Sequence, residues 1–180
     1  MLKKWRGTAQ AAPLFNFHKL YLFVLAVVVV AAAFWLSALV LVVADNRREK
    51  VFSYSCGVGD CFQLRLIHSV EKSPWEDNFL IRGAGDLLLT TSKFESLGWG
   101  YPYSEADGKF SIDKDNKFIM TLNRKFAKIN TCVAIQAMPK IIYNNLQLDL
   151  CREFGDGALV EIAVMPRYQL YSDIIFNNGR

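Results

Sequence analysis

His68, Glu71 and Glu76 are the residues of this chain whose types and spacing could do chemistry. Imidazole and carboxylate groups ligate zinc and other divalent ions. Paired carboxylates also carry acid/base work of the glycosidase kind. All three sit in one stretch, His68-Ser69-Val70-Glu71-Lys72-Ser73-Pro74-Trp75-Glu76-Asp77. The spacing H-x2-E-x4-E matches no metal signature, and a histidine with two acids also serves to fix a turn by hydrogen bonding. Ser69 beside His68 suggests a nucleophile and its base. Neighbours on a strand point to opposite faces, however, so the pair is not expected to meet. The other histidine, His18, lies beyond a long apolar run, which leaves Ser-His acyl transfer without a partner group.

A second stretch, Phe94 to Pro102, reads F-E-S-L-G-W-G-Y-P. Trp75, Trp99, Tyr101 and Tyr103 could line a shallow site, contact a partner, or close the end of a β-sandwich. Gly98 and Gly100 supply backbone conformations that other residues resist. No glycine run follows a strand and opens a helix, so nucleotide binding is not expected. Both stretches end strands, and loops on a rigid sheet commonly carry function. The expectation is that they lie side by side. His68, Ser69, Glu71, Trp75, Glu76, Gly98, Trp99, Gly100, Tyr101 and Pro102 would then form one docking or ligand surface. No catalytic residue, resident metal or cofactor is assigned.

The elements that must position these loops read as strands. Cys61–His68 alternates Phe62, Leu64 and Leu66 against Gln63 and Arg65. Asn78–Arg82, Asp86–Phe94, Lys117–Leu122, Lys125–Ala137, Leu146–Cys151 and Ala158–Val164 have similar character, with turn signals between them. Short strands without intervening amphipathic helices predict a mainly β domain, an antiparallel sandwich or barrel. Pro166 to Arg180 shows no clear period.

Ahead of the strands, Leu20 to Ala44 carries no charge, and Ser37 is its most polar side chain. As a helix it would be about 37 Å long, enough to cross a hydrocarbon core of about 30 Å. A soluble helix of this length would show a polar stripe. The run predicts one transmembrane helix over 20–44, preceded by a basic tail (1–19). A juxtamembrane linker (45–50), a β-domain (51–165) and a C-terminal tail (166–180) follow it. Lys3, Lys4, Arg6 and Lys19 precede the run, and Arg47, Arg48 and Lys50 follow it within an acid-containing cluster. That asymmetry favours a cytoplasmic N-terminus and an extracytoplasmic C-terminal domain in the cell (inner) membrane. A cleaved signal peptide is the rival, although its apolar core is usually 7 to 15 residues. The net charge of +4 resides in residues 1–44, because 17 acids balance the bases beyond them. The basic balance therefore reports topology and does not point to nucleic acid.

Cys56, Cys61, Cys132 and Cys151 all follow the apolar run. An even count in an exported domain predicts two disulfides. C-x4-C in CGVGDC suits a bridged turn. If 130–137 and 146–151 pair as antiparallel strands with Ala137 opposite Leu146, Cys132 falls opposite Cys151 on one face.

The run F-Q-L-R-L-I-H-S-V-E-K-S-P-W-E-D followed by L-L-L-T-T-S-K-F-E-S-L-G-W-G-Y-P resembles the bacterial and archaeal domain-of-unknown-function family 1850. The shared features are His68, Ser69, Val70, Glu71 and Glu76, then Gly98, Gly100 and Pro102. The position between the glycines, usually small in relatives, is Trp99 here. The resemblance implies proximity to tripartite (TRAP-type) transporters of the class using TAXI solute-binding proteins. Transporter membrane subunits or the solute-binding protein are the partners it suggests. The expected function is thus a membrane-anchored extracytoplasmic accessory or interaction domain. The alternative is a metal-dependent hydrolase or small-ligand-binding module using His68, Glu71 and Glu76.

Overall fold

The computed structural model describes residues 17–95 and 108–177. The chain divides into two compact units, Met1–Trp35 and Leu36–Arg180. In the first, helix α1 (Phe17–Ser37) is apolar all round and exposed along its length, and His18–Ser37 is long and apolar enough to cross a membrane.

The apolar run does not continue as helix. After Ala38 it becomes strand β1 (Leu39–Asp45), which corrects the expected helix boundary at Ala44 and starts the β-domain twelve residues before Val51. The reason is double-sided burial. Leu41 and Val43 face one cluster of core side chains, while Val40, Val42 and Ala44 face another. A strand covered on both faces loses its alternation and reads as an unbroken apolar run.

β1 lies inside a four-stranded sheet. Its neighbours are β2 (Val51–Ser55) on one side and β11 (Leu159–Pro166) on the other, with β8 (Lys128–Cys132) beyond β11. The second sheet has seven strands. In spatial order they are β10 (Leu146–Asp149), β9 (Lys140–Tyr143), β3 (Cys61–Ile67), β4 (Pro74–Gly83), β5 (Asp86–Phe94), β7 (Phe118–Phe126) and β6 (Lys109–Ile112). Every described strand pairing is antiparallel. The sheets enclose one core, to which β1 and β11 contribute Leu41, Val43, Val160, Ile162 and Val164, and the larger sheet Phe62, Phe79, Ile81, Leu87 and Met120. The expected antiparallel sandwich is therefore the observed fold.

Helix α3 (Arg167–Asn177) forms a third layer, where the sequence shows no period. Leu170 and Ile174 cover Val40, Val42, Ala163 and Met165 on the outer face of the four-stranded sheet. The short helix α2 (Leu150–Phe154) is capped by the Asp149 side chain, which accepts from the Arg152 backbone N–H.

The cysteines are all free thiols, which corrects the two expected bridges. Cys132 pairs in register with Leu159 of β11 and not with Cys151. β10 pairs instead with β9, a strand formed inside the stretch read as a loop, and Cys151 lies in α2. The CGVGDC turn is held differently. Asp60 accepts from the Gly57 backbone N–H at 2.9 Å and from the Tyr143 hydroxyl at 2.6 Å. Those two bonds hold the Asp60 carboxyl below its ordinary pKa. The tyrosine is pushed up to about 12, by burial first and then by its bond to Asp60.

The domain has two distinguishable ends. At one end, Ala38 accepts from the Arg167 N–H, Cys56 donates to Leu39, and the tip of the β4–β5 hairpin donates from Gly85 to Val164. Gly85 has φ of 61°, a left-handed conformation that suits glycine at this tip. At the other end, Ile67 donates to Ala137 and Val133 to Ala158. β3 runs from the first end to the second, a distance of about 20 Å over its six steps.

Candidate functional site

The His68 stretch forms the exit turn of β3 at the end away from Ala38. The His68 backbone N–H donates to Ser73 at 2.9 Å, and the Lys72 N–H donates back to the His68 carbonyl at 2.9 Å. Lys72 adopts φ of 54° to close the turn. The imidazole contributes directly, since its Nδ1 accepts from the Glu71 backbone N–H at 3.3 Å. It also stacks on Trp75 with ring centroids 5.9 Å apart and an interplanar angle of 13°.

Trp75 opens β4, opposite Phe94 of β5, and their rings are 5.7 Å apart. Its indole N–H donates to Asp77 Oδ1 at 2.7 Å. Ser92, a buried polar residue directly opposite Asp77 on β5, donates to the same oxygen at 2.5 Å. Burial raises the Asp77 pKa, against the lowering effect of those two donors. Sequence reasoning missed this carboxylate. The signal was available: Trp75, Asp77, Phe79 and Ile81 share one phase of the β4 alternation, and Phe79 and Ile81 are core residues.

On the opposite phase of β4, Glu76 faces its register partner Arg65 and pairs with it at 3.1 Å. A cavity of about 280 Å³ opens here, lined by Arg65, Ile67, Trp75, Glu76, Met138 and Lys140 among others.

The structure thus gathers His68, Glu71, Trp75 and Glu76 in one turn and the strand it enters. Ser69 and Val70 are exposed at the turn's tip. Gly98, Trp99, Gly100, Tyr101 and Pro102 lie outside the described residues, as does the expected neighbourhood of the two loops. Within the turn the polar groups hold one another. His68 Nδ1 is engaged by a backbone amide, and the Glu76 carboxylate by a guanidinium. Among the described residues, no three or more His, Cys, Asp or Glu side chains converge as a set that could hold a metal ion. The arrangement presents a stiff aromatic pair, an exposed turn tip and a small charged cavity, which suits recognition.

Residues 62–150 match the model of a family described as Domain of unknown function (DUF1850). The matched segment carries all of this turn and strands β3 to β10, while β1, β2, β11 and both α1 and α3 lie outside it. No curated protein and no solved structure matches the chain.

Proposed function

We propose, with the match of residues 62–150 as premise, that the chain is a single-pass membrane protein. Its β-domain lies outside the cytoplasm and acts as a non-enzymatic interaction module. The module docks its His68–Trp75 end onto a tripartite transporter of the class using TAXI solute-binding proteins. The observation that carries this reading is polarity within the domain. The aromatic turn lies at one end, and Ala38, where the chain leaves the apolar helix, lies at the other. A module built this way holds its recognition turn about 20 Å from its point of attachment. The uncharged helix and the acid-free, basic N-terminus support the anchor and its orientation.

The cavity between Arg65, Glu76 and Lys140 favours one second reading, a small-ligand-binding module at the same end. Co-purification of the tagged full chain from membranes separates the two. Recovery of transporter subunits, reduced by Val70→Asp in a chain that stays folded, supports the interaction module. Saturable binding of a small acid or amine by the purified chain, with no transporter subunit recovered, supports the ligand-binding module and overturns docking.

A further inference from the structure

The larger sheet ends at a strand with a bare outer side. β6 pairs with β7, and among the described residues nothing pairs with its other side. All of its residues are exposed. The Asp113 N–H donates to the Lys117 carbonyl at 2.9 Å, which sets the parity of the ladder. Lys109, Ser111 and Asp113 turn their backbone groups to β7, and Phe110 and Ile112 turn theirs away from it. Those outward N–H and C=O groups are a template for another strand. Phe110 and Ile112 also lie on the core-facing phase of the sheet, in register with Met120 and Phe118. Phe110 stacks on Phe118 at 5.6 Å, yet Ile112 is left 57 % exposed.

The run Lys109-Phe110-Ser111-Ile112-Asp113 is complementary to itself when reversed. Laid antiparallel on a second copy with Ser111 opposite Ser111, Phe110 meets Ile112 and Lys109 meets Asp113. The backbone parity fits this register, because the outward groups of Phe110 then face those of Ile112. Unlike charges directly across a strand pair are favourable. Asp113 Oδ1 accepts from the backbone N–H groups of Asp115 and Lys117, at 2.8 and 2.9 Å, which leaves Oδ2 for Lys109 of the second copy. The other sheet edges lack this match. At β2 the Ser55 carbonyl already accepts from the Tyr143 hydroxyl, and β10 runs straight into α2. β8 turned on itself about Asn130 would set Lys128, already paired with Glu161, against Cys132.

We propose that two copies of this chain pair through β6, antiparallel about a two-fold axis at Ser111, so that their larger sheets become one continuous sheet. The pairing is closed, since each copy covers the other's β6 edge. It goes beyond the docking proposed above and stands whether or not that docking occurs.

Disulfide trapping in the full chain tests it. Exposed Cys61 and Cys132 are replaced by Ser, and two differently tagged copies are co-expressed and oxidised in intact cells with copper–phenanthroline. Ser111→Cys puts two thiols across the axis with Cα atoms about 4.5 Å apart, within disulfide reach. Two Lys109→Cys thiols would stand four residues apart along the paired strands, about 13 Å, and out of reach. Asn145→Cys, exposed in the β9–β10 turn at the far edge of the sheet, reports random collision. Ser111→Cys should give about fivefold more linked dimer than either of the others. Ile112→Pro removes an outward N–H and no bond to β7, and should bring that yield down to the collision level. Lys109→Glu, a change at an exposed side chain, sets acid against acid and should lower the yield in a chain that stays folded. Equal yields at the three positions, or a Ser111→Cys yield that neither substitution lowers, overturn the pairing. Ser111→Cys trapped on a different protein, with no link between the two tags, overturns the second copy as the occupant.

Discussion

Trp75 and Asp77, two residues apart on one strand, are joined by an indole N–H donated to carboxylate Oδ1 at 2.7 Å. That bond ties the aromatic surface beside the His68 turn to a carboxylate on the core-facing phase of the sheet. Ser92 completes the pair from the neighbouring strand.

Asp77 gives the first prediction. Its folded pKa is raised by burial. An acid with a raised folded pKa binds more protons in the folded state, so stability falls as pH rises from the ordinary carboxylate value through the folded value. Asp77→Asn keeps an acceptor for Trp75 and Ser92 and removes the charge. The variant should be at least as stable as the parent at neutral pH, and denaturant titrations should show its stability curve flattened just above the ordinary carboxylate range. An unchanged slope there would contradict the burial argument.

A second prediction concerns β1. Leu41 is fully buried. Leu41→Ala should cost about 2–5 kcal/mol of domain stability, the range for large-to-small core changes. Asp at Val42, on the other buried face, should prevent folding. A substitution in the middle of α1 such as Val28→Ala should leave the unfolding of the domain unchanged. If all three leave it unchanged, β1 is not a core strand.

The strand and the helix show how far the sequence could be read. β3 was legible because Phe62 and Leu64 alternate with Gln63 and Arg65, whereas β6 and β9 were not expected and Lys125–Ala137, expected as one strand, divides between β7 and β8 in different sheets. β1 was not, because burial on both faces erases the period that separates a strand from the end of an apolar helix. Helix α3 was hidden for a related reason. It buries only Leu170 fully and keeps Tyr171, Ile175 and Phe176 exposed, which blurs its apolar stripe. The disulfide expectation failed on register. It placed a loop where β9 forms, and a strand displaced by another partner carries its cysteine away. At the site, His68 and Glu71 fall in one turn, while Glu76 stands on the opposite phase of β4 from Trp75 and pairs with Arg65. Asp77 escaped notice because an acid beside another acid reads as surface unless its phase is followed.

A third prediction follows from the thiols. Cys56 is half-buried and its pKa is pushed up to about 11, by desolvation first and by nearby Asp60 second. The thiolate is the reactive form. Alkylation at neutral pH should therefore modify Cys61 and Cys132 quickly and Cys56 at least tenfold more slowly, as read by mass spectrometry of timed samples. Equal rates would contradict the packing of the CGVGDC turn.

Tyr143 supplies a fourth. Its hydroxyl engages both Asp60 and the Ser55 carbonyl, joining the two sheets at the Ala38 end. Tyr143→Phe should cost about 0.5–1.5 kcal/mol, the net range for an intramolecular hydrogen bond whose partners can turn to water. It should also raise the Asp60 pKa toward its ordinary value. A neutral substitution would show that the turn is held by packing alone.

The central claim is that the His68 end of an anchored extracytoplasmic domain meets a transporter. The most direct measurement is site-specific photocrosslinking in intact membranes, with the reactive group placed at exposed Val70 in the turn or at exposed Val58 at the opposite end. The account predicts an adduct between Val70 and a membrane or solute-binding subunit of a tripartite transporter, and none of that composition from Val58. Adducts with those subunits from Val58 alone, or from neither position in membranes that contain the transporter, would contradict it.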